Sequence, residues 1–243
     1  MLEIRFLGTF EVREGEYIVH FSRRRDQSLI AFLVMNRGVF HRREKLAALL
    51  WPDSDDEAGR VNLRHALWRM GKTLPSAAKK EYLLTDDLSI AFSGSVDIWF
   101  DVELMVSAKN LHNADELISV LEVYRGELLP GMTEEWVTLE REYIDSIYEH
   151  QMARLMSILH DEKRWLDILE WGERWISFGQ RPEPAYRALM CAHKEMGEMS
   201  KVVDTYARCA RSLRELELDP SVQTRDLFET LVADMTEYHL KES

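Results

Sequence analysis

The chain has 243 residues, 46% hydrophobic and 30% charged, an ordinary composition for a globular protein of one or two domains. Its longest apolar run, Leu29 to Met35, is too short to span a bilayer, and Met1-Leu2-Glu3 opens into a strand-like pattern without a basic and apolar leader, so a cytoplasmic protein with no membrane partner is expected. The net charge of -12 argues against nucleic acid in bulk, but residues 22 to 80 hold 13 Lys/Arg against 6 Asp/Glu, a net of +7, while residues 1 to 21 carry -2 and residues 81 to 243 carry -17.

In chain order, Leu2, Ile4 and Phe6 alternate, as do Phe10 and Val12, then Tyr17, Val19 and Phe21; this predicts short strands with a turn at Arg13-Glu14-Gly15-Glu16. Ser22 is placed to cap a helix running to about Arg37, with Leu29, Ile30, Phe32 and Leu33 on its apolar face and Asn36 to Gly38 as its stop. A second helix is predicted from Arg42 to Leu50. It ends at Pro52, which lacks a backbone donor and clashes with the preceding turn. Ser54 and Glu57 form an S-x-x-E capping box for a third helix to Leu74, on which Leu63, Ala66, Leu67, Met70 and Leu74 share one side. Tyr82 to Thr85 and Leu88 to Phe92 flank an Asp86-Asp87 turn and read as a second small hairpin. Strands, helices and a closing hairpin in this order describe a winged helix over residues 1–95.

Ser93-Gly94-Ser95 is the expected boundary, and residues 96–243 read as helix almost throughout. Helices are predicted at 100–110, 114–124, 134–160, 163–178, 183–196, 199–216 and 221–238. A shift of 38 residues lays 165–178 on 203–216 and brings Pro182 onto Pro220, a weak repeat near the period of paired helices. The expected fold class is therefore mostly α with a small β component: a winged helix followed by a tetratricopeptide-like helical domain, with an irregular helical bundle as the alternative for the second half.

Several segments in one order resemble the SARP-type bacterial transcriptional activators. They are Leu2-Glu3-Ile4-Arg5-Phe6-Leu7-Gly8, Ser22-Arg23-Arg24-Arg25, Leu49-Leu50-Trp51-Pro52-Asp53, Asn62-Leu63-Arg64 to Leu74 and Val96-Asp97 to Phe100. In the second half the matching segments are Tyr124-Arg125-Gly126-Glu127-Leu128-Leu129, Trp136 and Leu213 to Ser221. The resemblance implies an OmpR-like winged helix and a helical bacterial transcriptional activation domain. It further implies binding of double-stranded DNA at promoter direct repeats and contact with RNA polymerase; self-association, as a homodimer, is a further contact open to the helical half. The chain departs from the family pattern at Met70-Gly71, late in the third helix, and at the Asp86-Asp87 wing turn, where glycine is usual.

On the third helix the side opposite the apolar stripe holds Val61, His65, Trp68 and Lys72, flanked by Asn62, Arg64 and Arg69, with Arg60 one residue before Val61. In a major groove Arg64 or Arg69 would grip guanine and Asn62 adenine, and His65 would meet a base or a phosphate. Trp68, large and apolar on such a face, is expected to pack against the wing or another subunit, with contact to a base as the alternative. Arg23, Arg24 and Arg25, and Arg42 and Arg43, open their helices with cations that oppose the helix dipole, and Lys79 and Lys80 precede the wing; all read as phosphate contacts. No catalytic residue, metal ligand or cofactor is expected: phosphate-loop, H-E-x-x-H and G-x-S-x-G motifs are missing, and Cys191 and Cys209 stand 18 residues apart. His160-Asp161-Glu162 reads as a solvated helix end, and Trp165, Trp171, Trp175 and Phe178 as core. The expected function is a sequence-specific DNA-binding transcriptional regulator, an activator. The alternative is a protein-interaction adaptor whose winged helix no longer binds DNA, favoured by Gly71, Asp86-Asp87 and the overall acidity.

Overall fold

Alternation decides the first sheet. Leu2, Ile4 and Val12 are buried while Glu3, Arg5, Glu11 and Arg13 stay accessible, so β1 (Leu2–Arg5) and β2 (Glu11–Glu14) pair antiparallel with Ile4 opposite Val12. β3 (Tyr17–Ile18) extends β2, and β7 (Ile98–Phe100) lies parallel to β1, giving the order β3-β2-β1-β7. These belong to a computed structural model that describes residues 1–74, 82–179 and 182–241. Lys79 and Lys80 lie outside the described residues.

Between the two ends of that sheet come α1 (Arg24–Met35), β4 (His41–Arg42), α2 (Arg43–Leu50), α3 (Asp56–Thr73), β5 (Leu83–Thr85) and β6 (Ser89–Phe92). β4, β6 and β5 form a second, three-stranded sheet in that order. Three helices followed by this sheet make the winged helix that the periodicity predicts. Its caps differ from the expected ones: Arg23, not Ser22, is the N-cap of α1, and Asp55, not Ser54, caps α3 by accepting from the Ala58 amide at 2.8 Å. The capping box is thus replaced by a single aspartate cap, which satisfies the Ala58 amide, one orphan donor of the first turn.

The first unit comprises Met1–Val102 together with Leu128–Val137, and the second comprises Glu103–Glu127 with Thr138–Ser243. The first unit runs past the expected boundary at Ser95 because β7 is paired with β1. Just before that boundary Gly94 sits against Gly38, where a β-carbon would come within 3.0 Å of the Gly38 Cα. Gly38 itself stands at φ 84, the left-handed turn that ends α1. Asp101 then locks the chain. Its carboxylate, 1% exposed, accepts from the Phe6 amide at 2.9 Å, the Leu7 amide at 2.9 Å and the Val102 amide at 2.8 Å. The segment 128–137 adds a bridge between Leu7 and Leu128, and the Leu129 amide donates to the Phe6 carbonyl at 2.8 Å.

The α1–α3 contact carries one buried ion pair. Asp26 lies on the same side of α1 as Ile30 and Leu33, and all three are buried. An isolated carboxylate there would be costly, and Arg69 of α3 answers it with two hydrogen bonds of 2.7 Å.

The second unit is helical: the remainder of α4 (Asp101–Ser107), α5 (Ala114–Leu121), most of α6 (Glu135–Asp161), α7 (Trp165–Phe178), α8 (Glu183–Glu195), α9 (Met199–Arg214) and α10 (Val222–Lys241). α8 packs against both α7 and α9, and α10 against α8 and α9, the arrangement of stacked helix pairs. Gly172 lets α7 and α8 approach closely, since a β-carbon there would lie 2.8 Å from Leu189 Cδ2. Glu183 accepts from the Ser221 amide at 2.9 Å and hydroxyl at 2.8 Å, joining two helix starts 38 residues apart, the period read from the prolines. Trp171 and Trp175 are core; Trp165 is half-buried and Phe178 is exposed at the end of α7. None of the described helices is long and apolar enough to cross a membrane.

Three outcomes follow from these contacts. Arg69→Ala leaves the Asp26 carboxylate buried without a partner and should cost about 3 kcal/mol in urea unfolding. Asp26→Ala together with Arg69→Ala should cost less than the sum of the single changes; strict additivity would show that the pair does not couple α1 to α3. Burial pushes the Asp101 carboxyl up to about 6, against the lowering pull of the Leu7, Phe6 and Val102 amides. A raised carboxyl pKa in the folded state contributes stability that is full below the ordinary carboxylate range and is lost as pH rises through 6. The Asp101 carboxyl carbon shift should therefore titrate near pH 6, and a midpoint near the ordinary aspartate value would contradict the burial argument.

Candidate nucleic-acid interface

Pro52 stops α2, and Trp51 to Asp55 turn the chain into α3. Leu63, Ala66, Met70 and Gly71 face inward on α3, and the opposite side is left in water. Gly71, which departs from the family pattern, is buried in the last turn, and the helix continues through it to Thr73.

The outward side of α3 presents Arg60, Val61, Arg64, His65, Trp68 and Lys72, all exposed, with Asn62 half-buried beside them. Among the described residues no hydrogen bond or ion pair engages Arg60, Arg64 or His65. Lys72 reaches back one turn, its Nζ 3.9 Å from the centre of the Trp68 ring. Trp68 is 61% exposed, so of its two expected packing partners the wing is not the one it meets.

Arg69 is different. Its guanidinium is turned to Asp26 and is only 23% exposed, so it stands apart from the outward cations with which the wheel grouped it. On the wheel it flanks the outward side, and a buried carboxylate across the α1–α3 contact draws it in.

The helix-start arginines divide in the same way. Arg24 donates to the Gly131 carbonyl and Arg25 lies 3.3 Å from Glu134, whose carboxylate also accepts from the Ser28 hydroxyl at 2.6 Å. These bonds hold segment 128–137 within the first unit. Ser28, Arg24 and Arg25 keep the Glu134 carboxyl below its ordinary range although burial opposes them. Arg23 remains exposed and without a bonded partner among the described residues. At the start of α2, Arg43 donates twice to the Asp86 carbonyl, at 3.1 and 2.9 Å, and so ties α2 to the wing turn; Arg42 is exposed.

The wing turn is built on its aspartate. The Asp86 carboxylate accepts from the Ser89 hydroxyl at 2.7 Å and from the amides of Leu88 and Ser89 at 2.7 and 2.6 Å, which lowers its pKa. These bonds close the turn where a glycine is usual, so the Asp86 charge is taken up locally. Asp87, with Arg43, Glu44, Arg60 and Arg64, lines a shallow cavity of about 350 Å³ beside α3.

Asp26 and Glu134 are the site residues the sequence reading missed. Asp26 had a signal: it stands four residues before Ile30, on the stripe that packs inward, and an acid on that stripe calls for a cation. Glu134 had none, because its partners lie more than 100 residues away.

In the second unit the carboxylates with resolved partners are tied into its own packing. Asp145 accepts from the Tyr124 hydroxyl at 3.0 Å and Glu149 from the Trp175 indole at 2.9 Å, and burial raises both carboxyl pKa values. His160 and Asp161 are exposed at the end of α6. Among the described residues no group of three or more His, Cys, Asp or Glu is placed to hold a metal ion.

No curated protein matches this chain. The fold is similar to that of Mycobacterium tuberculosis EmbR in complex with a low affinity phosphopeptide, with a TM-score of 0.78 and 17% identity, over 96% of this chain and 65% of that one. At that identity the likeness is one of fold. It fits the winged-helix and helical order read from the sequence. The profile of the bacterial transcriptional activator domain family matches residues 106–232, more than half of the sequence, and the chain belongs to that family.

Proposed function

We propose that this chain is a sequence-specific DNA-binding transcriptional activator working in the cytoplasm, with α3 as its reading helix. One observation carries the reading: the second helix of a helix-turn-helix presents Arg60, Arg64, His65 and Lys72 outward on one face, while the cations that the fold needs are engaged elsewhere. A helix of this kind fits the major groove, where Arg64 can grip a guanine and Asn62 an adenine. Arg23 and Arg42 supply backbone contacts, and the wing lies along the adjacent strand. The second unit, whose residues carry most of the negative charge, repels phosphate and is assigned to protein contacts: RNA polymerase, and a second copy of the chain at paired direct repeats.

Selection of bound fragments from a random DNA pool tests this. The chain should enrich a repeated half-site, and Arg64→Ala should keep the fold and lose preference at a guanine. With 6 or so phosphate contacts, affinity should fall on the order of a thousandfold between 50 and 200 mM salt. Enrichment of the same sequences by Arg64→Ala would remove Arg64 from the reading face. No binding at the lower salt would favour the adaptor reading instead.

A further inference from the structure

We propose that Trp68 selects a thymine, by packing its indole on the 5-methyl group in the major groove, and that Lys72 anchors the phosphate beside it. The proposal rests on the reading of α3 as the DNA-contacting helix and adds which base this part of the helix takes.

A tryptophan left 61% exposed keeps on the order of 100 Å² of apolar surface in water. Its neighbours within about one turn on the outward face, Arg64, His65 and Lys72, are polar or basic, and the small Val61 lies two turns back. The result is a single large apolar ring inside a basic surround. Its complement is an anionic surface that offers one small apolar group, and the thymine methyl is the only apolar group that base pairs present in the major groove. The basic surround matches the phosphates on either side.

Two local contacts favour this assignment over hydrogen-bonded reading. Arg69, the next residue along, would be the natural base reader at this end of α3, but both its bonds go to Asp26. Lys72 holds its ammonium 3.9 Å from the ring centre, over one face of the indole. That contact steadies an otherwise free side chain, leaves the other face and the edge open, and sets a cation one helical turn from the ring, within reach of a neighbouring phosphate.

The test uses the full chain and the fragment it selects. Each thymine is replaced in turn by deoxyuridine, which removes only the methyl group. Wild-type affinity should fall about fourfold at one position, the worth of one buried methyl. Trp68→Ala should unfold at the same urea midpoint as wild type, bind more weakly and show no difference between thymine and deoxyuridine there. Trp68→Phe should restore part of the difference. Equal affinity for every deoxyuridine fragment, or a difference that survives in Trp68→Ala, overturns the proposal while leaving the DNA-reading function standing. A changed subunit count in Trp68→Ala with the thymine preference intact would assign the ring to a subunit contact and overturn it as well. Failure to select any fragment overturns the reading function and this inference together.

Discussion

The buried pair of Asp26 and Arg69 is the contact on which the N-terminal unit turns. It fastens α1 to α3 through two hydrogen bonds of 2.7 Å. In doing so it fixes the rotation of α3 about its axis: with Arg69 drawn inward, Arg64, His65, Trp68 and Lys72 must face out. A pair so placed contributes less through attraction than through the penalty for leaving Asp26 alone, because its carboxylate has been taken from water while Arg69 keeps some exposure. Its role is to specify one orientation of α3. Arg43, bonded to the Asp86 carbonyl, does the same for the start of α2 and the wing turn.

A second constraint comes from long-range closure. β7 pairs with β1 across nearly the whole first unit, and the Asp101 carboxylate gathers the amides of Phe6 and Leu7 immediately after that pairing. Segment 128–137 then returns to the same strand end and takes up Arg24 and Arg25. The basic block of the sequence is therefore spent in two ways. Some cations hold the unit together, and others are left for solvent or a partner. The net charge of residues 22 to 80 overstates what a duplex would meet.

Much of this architecture is legible from local pattern. Pro52 and the helical spacing of Leu63, Ala66 and Met70 define α2, the turn and α3, and the Asp86-Asp87 turn defines the wing hairpin. Pro182 and Pro220 mark the two helix starts that Glu183 and Ser221 join. What is not legible is whatever depends on distant partners. Ile98 and Phe100 alternate over only three residues, too short to announce a strand without knowing that β1 offers an open edge. Segment 128–137 carries no local sign of its return to the first unit. The candidate site divides along the same line: Arg60, Arg64, His65 and Lys72 follow from the helical wheel, but Arg24, Arg25 and Arg69 are withdrawn by carboxylates or carbonyls that the wheel does not contain.

The central claim is that the outward face of α3, and not the helical unit, meets DNA. Hydroxyl-radical footprinting of side chains, with and without a selected fragment, tests it most directly, because the exposed rings of His65 and Trp68 on α3 and of Tyr143 on α6 all react when free. DNA should protect His65 and Trp68 and leave Tyr143 as reactive as before. Protection of Tyr143 with His65 and Trp68 unchanged would contradict it.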